Sequence, residues 1–254
     1  MKTPTLLTLA TALGLGATVS AASRAQEQRP DETPSDAQAE ARRASAPLRP
    51  PIRYAALGAS DTVGVGSRSP TKENWTARIR AALPGDTVYE RFARSGITLG
   101  DAVNVEVPRL IAFRPTLVTM WLTVNDALRQ VPLPTYQKSL QATLERLTRE
   151  TEAQVVLLNV PDLAALAPPQ ASAWQRAQLR ETVRAWNAAI ADAARPYGSR
   201  VLVVDLLPAS RQLPAHAEWV SSDGFHPSPA GYQRLADVTL EAMHRAGLLP
   251  PEVP

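Results

Sequence analysis

The chain holds three histidines, and one of them, His226, stands three residues after Asp223 in Asp223-Gly224-Phe225-His226-Pro227. At that spacing, across a turn containing glycine, the carboxylate can reach one ring nitrogen and leave the other facing outward. An imidazole held in this way is a general base, and its partner is a weak nucleophile that must lose a proton before it can attack. Ser60, in Leu57-Gly58-Ala59-Ser60-Asp61-Thr62, is the candidate hydroxyl. Attack on a carbonyl creates an oxyanion, which needs hydrogen-bond donors set in place beforehand. The candidate donors are the backbone N–H groups of Ser60 and Gly96 and the side-chain amide of Asn125. Gly96 has no Cβ to keep a substrate from its backbone.

Each signal has a duller reading. Small polar residues after a first strand turn the chain in many folds, Asn125-Asp126 could only cap a helix, and Gly96 could only turn the backbone. His244 falls within the last amphipathic segment and reads as a surface or helix-end residue, whereas His216, beside Glu218, is the rival base. Asp205 and Asp162 read as turn or cap residues that could also line a pocket.

These residues need a frame that gathers them, and the apolar pattern supplies one. Short runs at 54–57, 87–89, 117–121, 155–158 and 201–204 are apolar at consecutive positions, as expected of strands covered by helices on both faces. Between them, Trp75, Ile79 and Leu83 share one helical face, as do Tyr136, Leu140, Leu144 and Leu147, then Leu179, Val183, Trp186 and Ile190, and finally Leu235, Val238 and Ala242. Thr135 is the expected N-cap of the second stripe, Pro196 and Gly198 end the third, and Ser228-Pro229 opens the last. Pro108 should break or restart the segment between Val103 and Ile111. Five strands alternating with helices predict an open, doubly wound α/β sandwich around a parallel sheet, with its ligand site beyond the carboxyl ends of the strands. Ser60, Gly96, Asn125 and the Asp223/His226 pair all follow such ends.

The chain begins like an address. Lys2, the apolar run from Leu6 to Val19 and the small residues near Ala21 and Ala25 have the layout of a secretory signal peptide over 1–25. Residues 26–51, rich in Ala, Pro, Gln and charge, cannot bury enough apolar surface to offset their ordering entropy and are expected to be a disordered linker. The domain proper is expected over 52–250. Cysteine is absent from the chain, which excludes disulfides, thiolate metal sites and cysteine nucleophiles. Net charge is +3, but the arginines are scattered among acidic residues with no basic run or aromatic platform, so no nucleic-acid partner is expected. No membrane insertion is expected after leader cleavage. The chain lacks a Gly-x-Ser-x-Gly elbow around Ser60, a phosphate loop, Gly-x-Gly-x-x-Gly and His-Glu-x-x-His, so nucleotide and metal chemistry have no motif to support them.

Taken in order, Leu57-Gly58-Ala59-Ser60, Arg94-Ser95-Gly96, Val124-Asn125-Asp126 and Asp223-Gly224-Phe225-His226-Pro227 resemble the four blocks of the SGNH/GDSL hydrolase family. The resemblance spans nearly the whole predicted domain. It implies a three-layer, flavodoxin-like sandwich with a five-stranded parallel sheet, a Ser60-His226-Asp223 triad, an oxyanion hole from Ser60, Gly96 and Asn125, no metal or other cofactor, and hydrolysis of esters or thioesters; the expected substrate is a small-molecule, lipid or glycan ester. Two departures stand out. Gly-Asp-Ser-Leu becomes Gly58-Ala59-Ser60-Asp61, and Thr123 stands where the asparagine block often begins with glycine. The expected function is an exported esterase or lipase acting through an acyl-enzyme on Ser60. The alternatives are a polysaccharide O-acyl esterase or acyltransferase and, from another class, a non-catalytic binding protein on the same fold.

Overall fold

The computed structural model describes residues 47–250. The expected leader over 1–25, and the expected linker except for 47–51, lie outside the described residues. Five parallel strands, β1 (Arg53–Gly58), β2 (Val88–Ala93), β3 (Leu117–Trp121), β4 (Gln154–Leu158) and β5 (Val201–Val204), form one sheet in the order β2-β1-β3-β4-β5. The helices are α1 (Ser60–Val63), α2 (Pro70–Glu73), α3 (Trp75–Ala82), α4 (Leu99–Asn104), α5 (Glu106–Ala112), α6 (Val124–Leu128), α7 (Leu133–Glu150), α8 (Ala173–Ala194), α9 (Leu207–Ser210) and α10 (Pro229–Arg245). The predicted doubly wound α/β sandwich is thus present.

Alternation along each strand divides the core into two layers. Ala55, Leu57, Val118, Met120, Val155 and Leu157 pack with Leu110, Leu140, Leu144, Val183 and Trp186 on one face. Tyr54, Ala56, Leu117, Val156 and Leu158 pack with Trp75, Ile79, Tyr232, Ala236 and Met243 on the other. Both faces are buried, and each buried aliphatic or aromatic side chain contributes about 1.5–3 kcal/mol. β3 and β4 are buried at every position, which is why they read as unbroken apolar runs. β2 is one of the two edge strands, alternates in exposure and continues through Glu90, Arg91 and Phe92. Its charged outer positions hid that second half from a search for consecutive apolar residues.

Boundaries follow local chemistry. Pro108 sits in the first turn of α5, where its missing N–H leaves no helical bond unmade; the break falls just before it, at Val105. Ser228 accepts a hydrogen bond from the Gly231 N–H at 3.2 Å, with Pro229 opening α10. α7 starts earlier than expected, at Leu133 behind Pro132, so Thr135 lies inside the first turn rather than at the cap.

Candidate active site

Register sets the nucleophile loop against its neighbours. Gly58, the last residue of β1, pairs with Ala93 of β2 and Trp121 of β3, so the loops carrying Ser60, Gly96 and Asn125 leave the sheet side by side. A Cβ on Gly58 would lie 1.9 Å from Thr62 Oγ1, and only glycine allows α1 to turn so sharply onto the strand. Ser60 opens that single-turn helix and is buried.

The loop 221–227 comes from the far end of the chain. Val220 bridges Pro227 in antiparallel fashion, the Ser221 N–H donates to His226 O at 2.8 Å, and Gly224 takes a φ of 72°, which favours glycine. Two contacts bring this hairpin to Ser60. Tyr232 Oη, at the start of α10, donates to Val65 O at 2.5 Å. Gly66, with a φ of 95°, lets Pro227 and Ser221 pack where a side chain would collide with Pro227 O at 2.4 Å.

The outcome is a relay of three side chains. Ser60 Oγ lies 2.9 Å from His226 Nε2, and His226 Nδ1 lies 2.6 Å from Asp223 Oδ2. With Nδ1 carrying its proton toward the carboxylate, Nε2 is free to accept the serine proton. Asp223 also accepts hydrogen bonds at Oδ1 from Ser221 Oγ (2.7 Å) and from the N–H groups of Phe225 and His226 (2.9 Å each). Burial alone would raise this carboxyl, but the hydrogen bonds from His226, Ser221 and the two amides outweigh it and hold the group well below the usual carboxylate range. Phe225 meets the imidazole edge-on, with ring centroids 5.0 Å apart.

The other oxyanion candidates lie on the loops after β2 and β3, the two neighbours of β1. Gly96 adopts a φ of 78°, and the Asn125 side-chain amide donates to Ile97 O at 2.8 Å. An amide nitrogen carries two hydrogens, so this bond orients Asn125 and leaves one donor for an incoming oxygen. The next residue, Asp126, accepts a hydrogen bond at Oδ2 from the Leu99 N–H at 2.9 Å. Two consecutive side chains of the asparagine loop thus clamp the glycine loop. Asp126 is buried, and that burial pushes its carboxyl up to about 7 despite the Leu99 amide.

The remaining candidates separate cleanly. His216 pairs with Glu218 at 2.9 Å and stacks on Trp219 at 4.0 Å, whereas the Ser60 hydroxyl is met by His226. His244 Nδ1 meets Pro250 O at the end of α10. Asp205 accepts from Asn159 Nδ2 and the Leu207 N–H, and Asp162 from the Ala164 N–H, so both serve turns.

Beside the triad opens a cleft with about 760 Å³ of space. Its walls come from the loops after β3, β4 and β5 and from α10, and include Trp121, Leu163, Leu206, Trp219, Phe225 and His226, together with Asp61. Burial holds the Asp61 carboxyl above its ordinary value, with Asp223 adding to the effect and His226 and its own amide opposing it. The sequence marked Asp61 only as a departure from a motif. Its place on the wall, and that of the scattered apolar residues around it, depended on how the loops fold together.

This constellation on this topology matches a known family over residues 56–234, the GDSL-like lipase/acylhydrolase family. The chain belongs to it. The matched span takes in the four sequence blocks, and the fold is the one the resemblance implied. A catalytic mutant of an acetylxylan esterase from Geobacillus stearothermophilus superposes with a TM-score of 0.63 at 17% identity, over 82% of this chain and 99% of that one. A psychrotrophic esterase from a Pseudoalteromonas species gives 0.59 at 17% identity, over 76% and 97%. A two-domain esterase active on acetylated mannans gives 0.59 at 18% identity, over 80% of this chain and 53% of that chain. At such identities these structures are similar in fold. No curated protein sequence matches the chain at significance.

Proposed function

We propose that the protein is an exported serine ester hydrolase that passes through an acyl-enzyme on Ser60. The observation that carries this reading is the 2.9 Å approach of His226 Nε2 to Ser60 Oγ, with Asp223 behind the ring at 2.6 Å. His226 takes the serine proton as Oγ attacks the ester carbonyl, and negative charge develops on the carbonyl oxygen. The N–H groups of Ser60 and Gly96 and the free amide hydrogen of Asn125 stabilise that charge. The tetrahedral species collapses, the carbon–oxygen bond to the alcohol breaks, and His226 returns the proton to the departing oxygen. Water then attacks the acyl-enzyme as His226 removes its proton, the bond between the acyl carbon and Ser60 Oγ breaks, His226 returns the proton to Oγ, and the free acid leaves.

Replacing Ser60 by alanine tests this directly. Hydrolysis of a short p-nitrophenyl ester should vanish while the circular dichroism spectrum stays unchanged; retention of most activity would exclude the mechanism. Export rests on the layout of residues 1–25. N-terminal sequencing of protein recovered outside the cytoplasm should begin after Ala21 or Ala25, and an intact Met1 there would exclude cleavage.

A second reading, deacetylation of a polysaccharide, draws on the acetylxylan and acetylated-mannan esterases of similar fold. The apolar walls of the cleft weigh against it, since sugar hydroxyls need polar partners that these walls offer sparingly. Acetate release from acetylated xylan, set beside turnover of simple esters, separates the two.

A further inference from the structure

The two flanks of Ser60 differ in how their charges are answered. On the oxyanion side, Arg129 Nη2 lies 3.5 Å from where a Cβ on Gly96 would be, and Arg129 faces Asp101 at 4.0 Å. On the cleft side, the residue after the nucleophile is Asp61, where the family's serine block carries leucine. Arg234, also at the cleft wall, is paired with Glu241 at 3.3 Å. Asp61 has no such answer: no side chain among the described residues donates a hydrogen bond to its carboxylate. The relay does not need it, because His226 Nδ1 is held by Asp223 and Nε2 by Ser60. A carboxylate set in an apolar wall with no side-chain donor beside it carries a desolvation cost, and a ligand of complementary charge offsets it.

The cleft can be assigned to one half of an ester. The oxyanion donors follow β1, β2 and β3, whereas the cleft is built beyond β3, β4 and β5 and shares His226 as a wall. His226 must return a proton to the leaving oxygen, so the group on that oxygen is the one that reaches along its ring into the cleft. Aromatic rings stand ready there. Trp121, Trp219 and Phe225 line the space, and one face of Trp219 is already covered by His216, which leaves the other face for a ligand.

On the ester-hydrolase reading above, we infer that this cleft receives the alcohol half of the substrate and that Asp61 makes it select an alcohol bearing a positive charge. The chemistry points to a compact ammonium or quaternary ammonium group carried on a short apolar arm. Opposite charge at Asp61 and the electron-rich ring faces attract such a group together. The same carboxylate repels an anionic alcohol of equal size.

Three acetate esters of matched shape test this: those of 2-(trimethylammonio)ethanol, of its neutral carbon isostere 3,3-dimethylbutanol, and of a hydroxy acid of similar length. In the native protein, kcat/KM for the cation should exceed that for the neutral ester roughly tenfold, with the anion poorest. In Asp61→Asn and in Asp61→Leu the ratio of cationic to neutral should fall toward one. An unchanged ratio in both variants overturns the inference while leaving the hydrolase reading intact. The same three charges placed instead on the acyl half of matched ethyl esters should give no such ranking, and a preference that appears there overturns the assignment of the cleft. Binding of benzyltrimethylammonium, followed by tryptophan fluorescence, does not depend on turnover. It should weaken roughly tenfold in Asp61→Asn, and equal affinity would count against Asp61 even if the native protein hydrolysed none of the esters, a result that would sink the underlying mechanism instead.

Discussion

Asp223, behind the His226 ring, and Asp126, in the asparagine loop, are held in opposite states. Asp223, on a surface hairpin, accepts four hydrogen bonds, two of them from amides of its own turn. Asp126 is buried between loops and has the Leu99 amide at one oxygen. Donors outweigh burial in the first case, and the charge is secure. Burial outweighs the Leu99 amide and its own amide in the second, and the carboxyl is raised to about 7. The side of the site that must stay ionised is therefore built from local turn geometry, whereas the side that positions oxyanion donors is stitched across loops.

The comparison breaks most readily at the relay. His226→Ala removes the base, and kcat on a p-nitrophenyl ester should fall roughly 10⁴-fold or more; a loss under tenfold would take the ring out of the chemistry. Asp223→Asn keeps the shape but removes the charge that fixes the tautomer. It should lower kcat by roughly 10³- to 10⁴-fold, and a KM-only effect would show that the carboxylate acts elsewhere.

On the loop after β3, Asn125→Ala should lower kcat by roughly 100- to 1,000-fold with KM little altered. A change confined to KM would assign Asn125 to ground-state binding.

The smallest expected effect sharpens the contrast between the aspartates. The Asp126 carboxyl is raised in the folded state, so between its unfolded value near 4 and about 7 the native protein holds a proton that the unfolded chain has lost. Stability contributed by that proton declines as pH rises through this window. Thermal denaturation should show native protein losing roughly 2 kcal/mol relative to Asp126→Asn between pH 5 and pH 8. Parallel curves would mean that Asp126 remains charged throughout.

Legibility in the sequence followed the same divide. Asp223 and His226 could be paired from their spacing alone, because a turn of three residues leaves few geometries. β3 and β4 were visible because central strands are apolar at consecutive positions, and the edge strand β5 because all four of its residues are aliphatic, whereas the second half of β2, at the opposite edge, was hidden by Glu90 and Arg91. Asp126 carried no mark of burial, since nothing in Asn125-Asp126 tells a helix cap from a clamp on Leu99. Asp61 stood out only as an unfamiliar residue in a familiar block.

Residue order alone determined the strand–helix alternation, the candidate nucleophile and the acid/base pair, because these depend on periodicity and short-range spacing. Tertiary structure decided that residue 226 meets residue 60, that His216 pairs with Glu218 instead, and that an acid lies in an apolar wall. Those outcomes depend on contacts between segments far apart in the chain, such as Tyr232 with Val65 and Gly66 against Pro227, which no local pattern encodes.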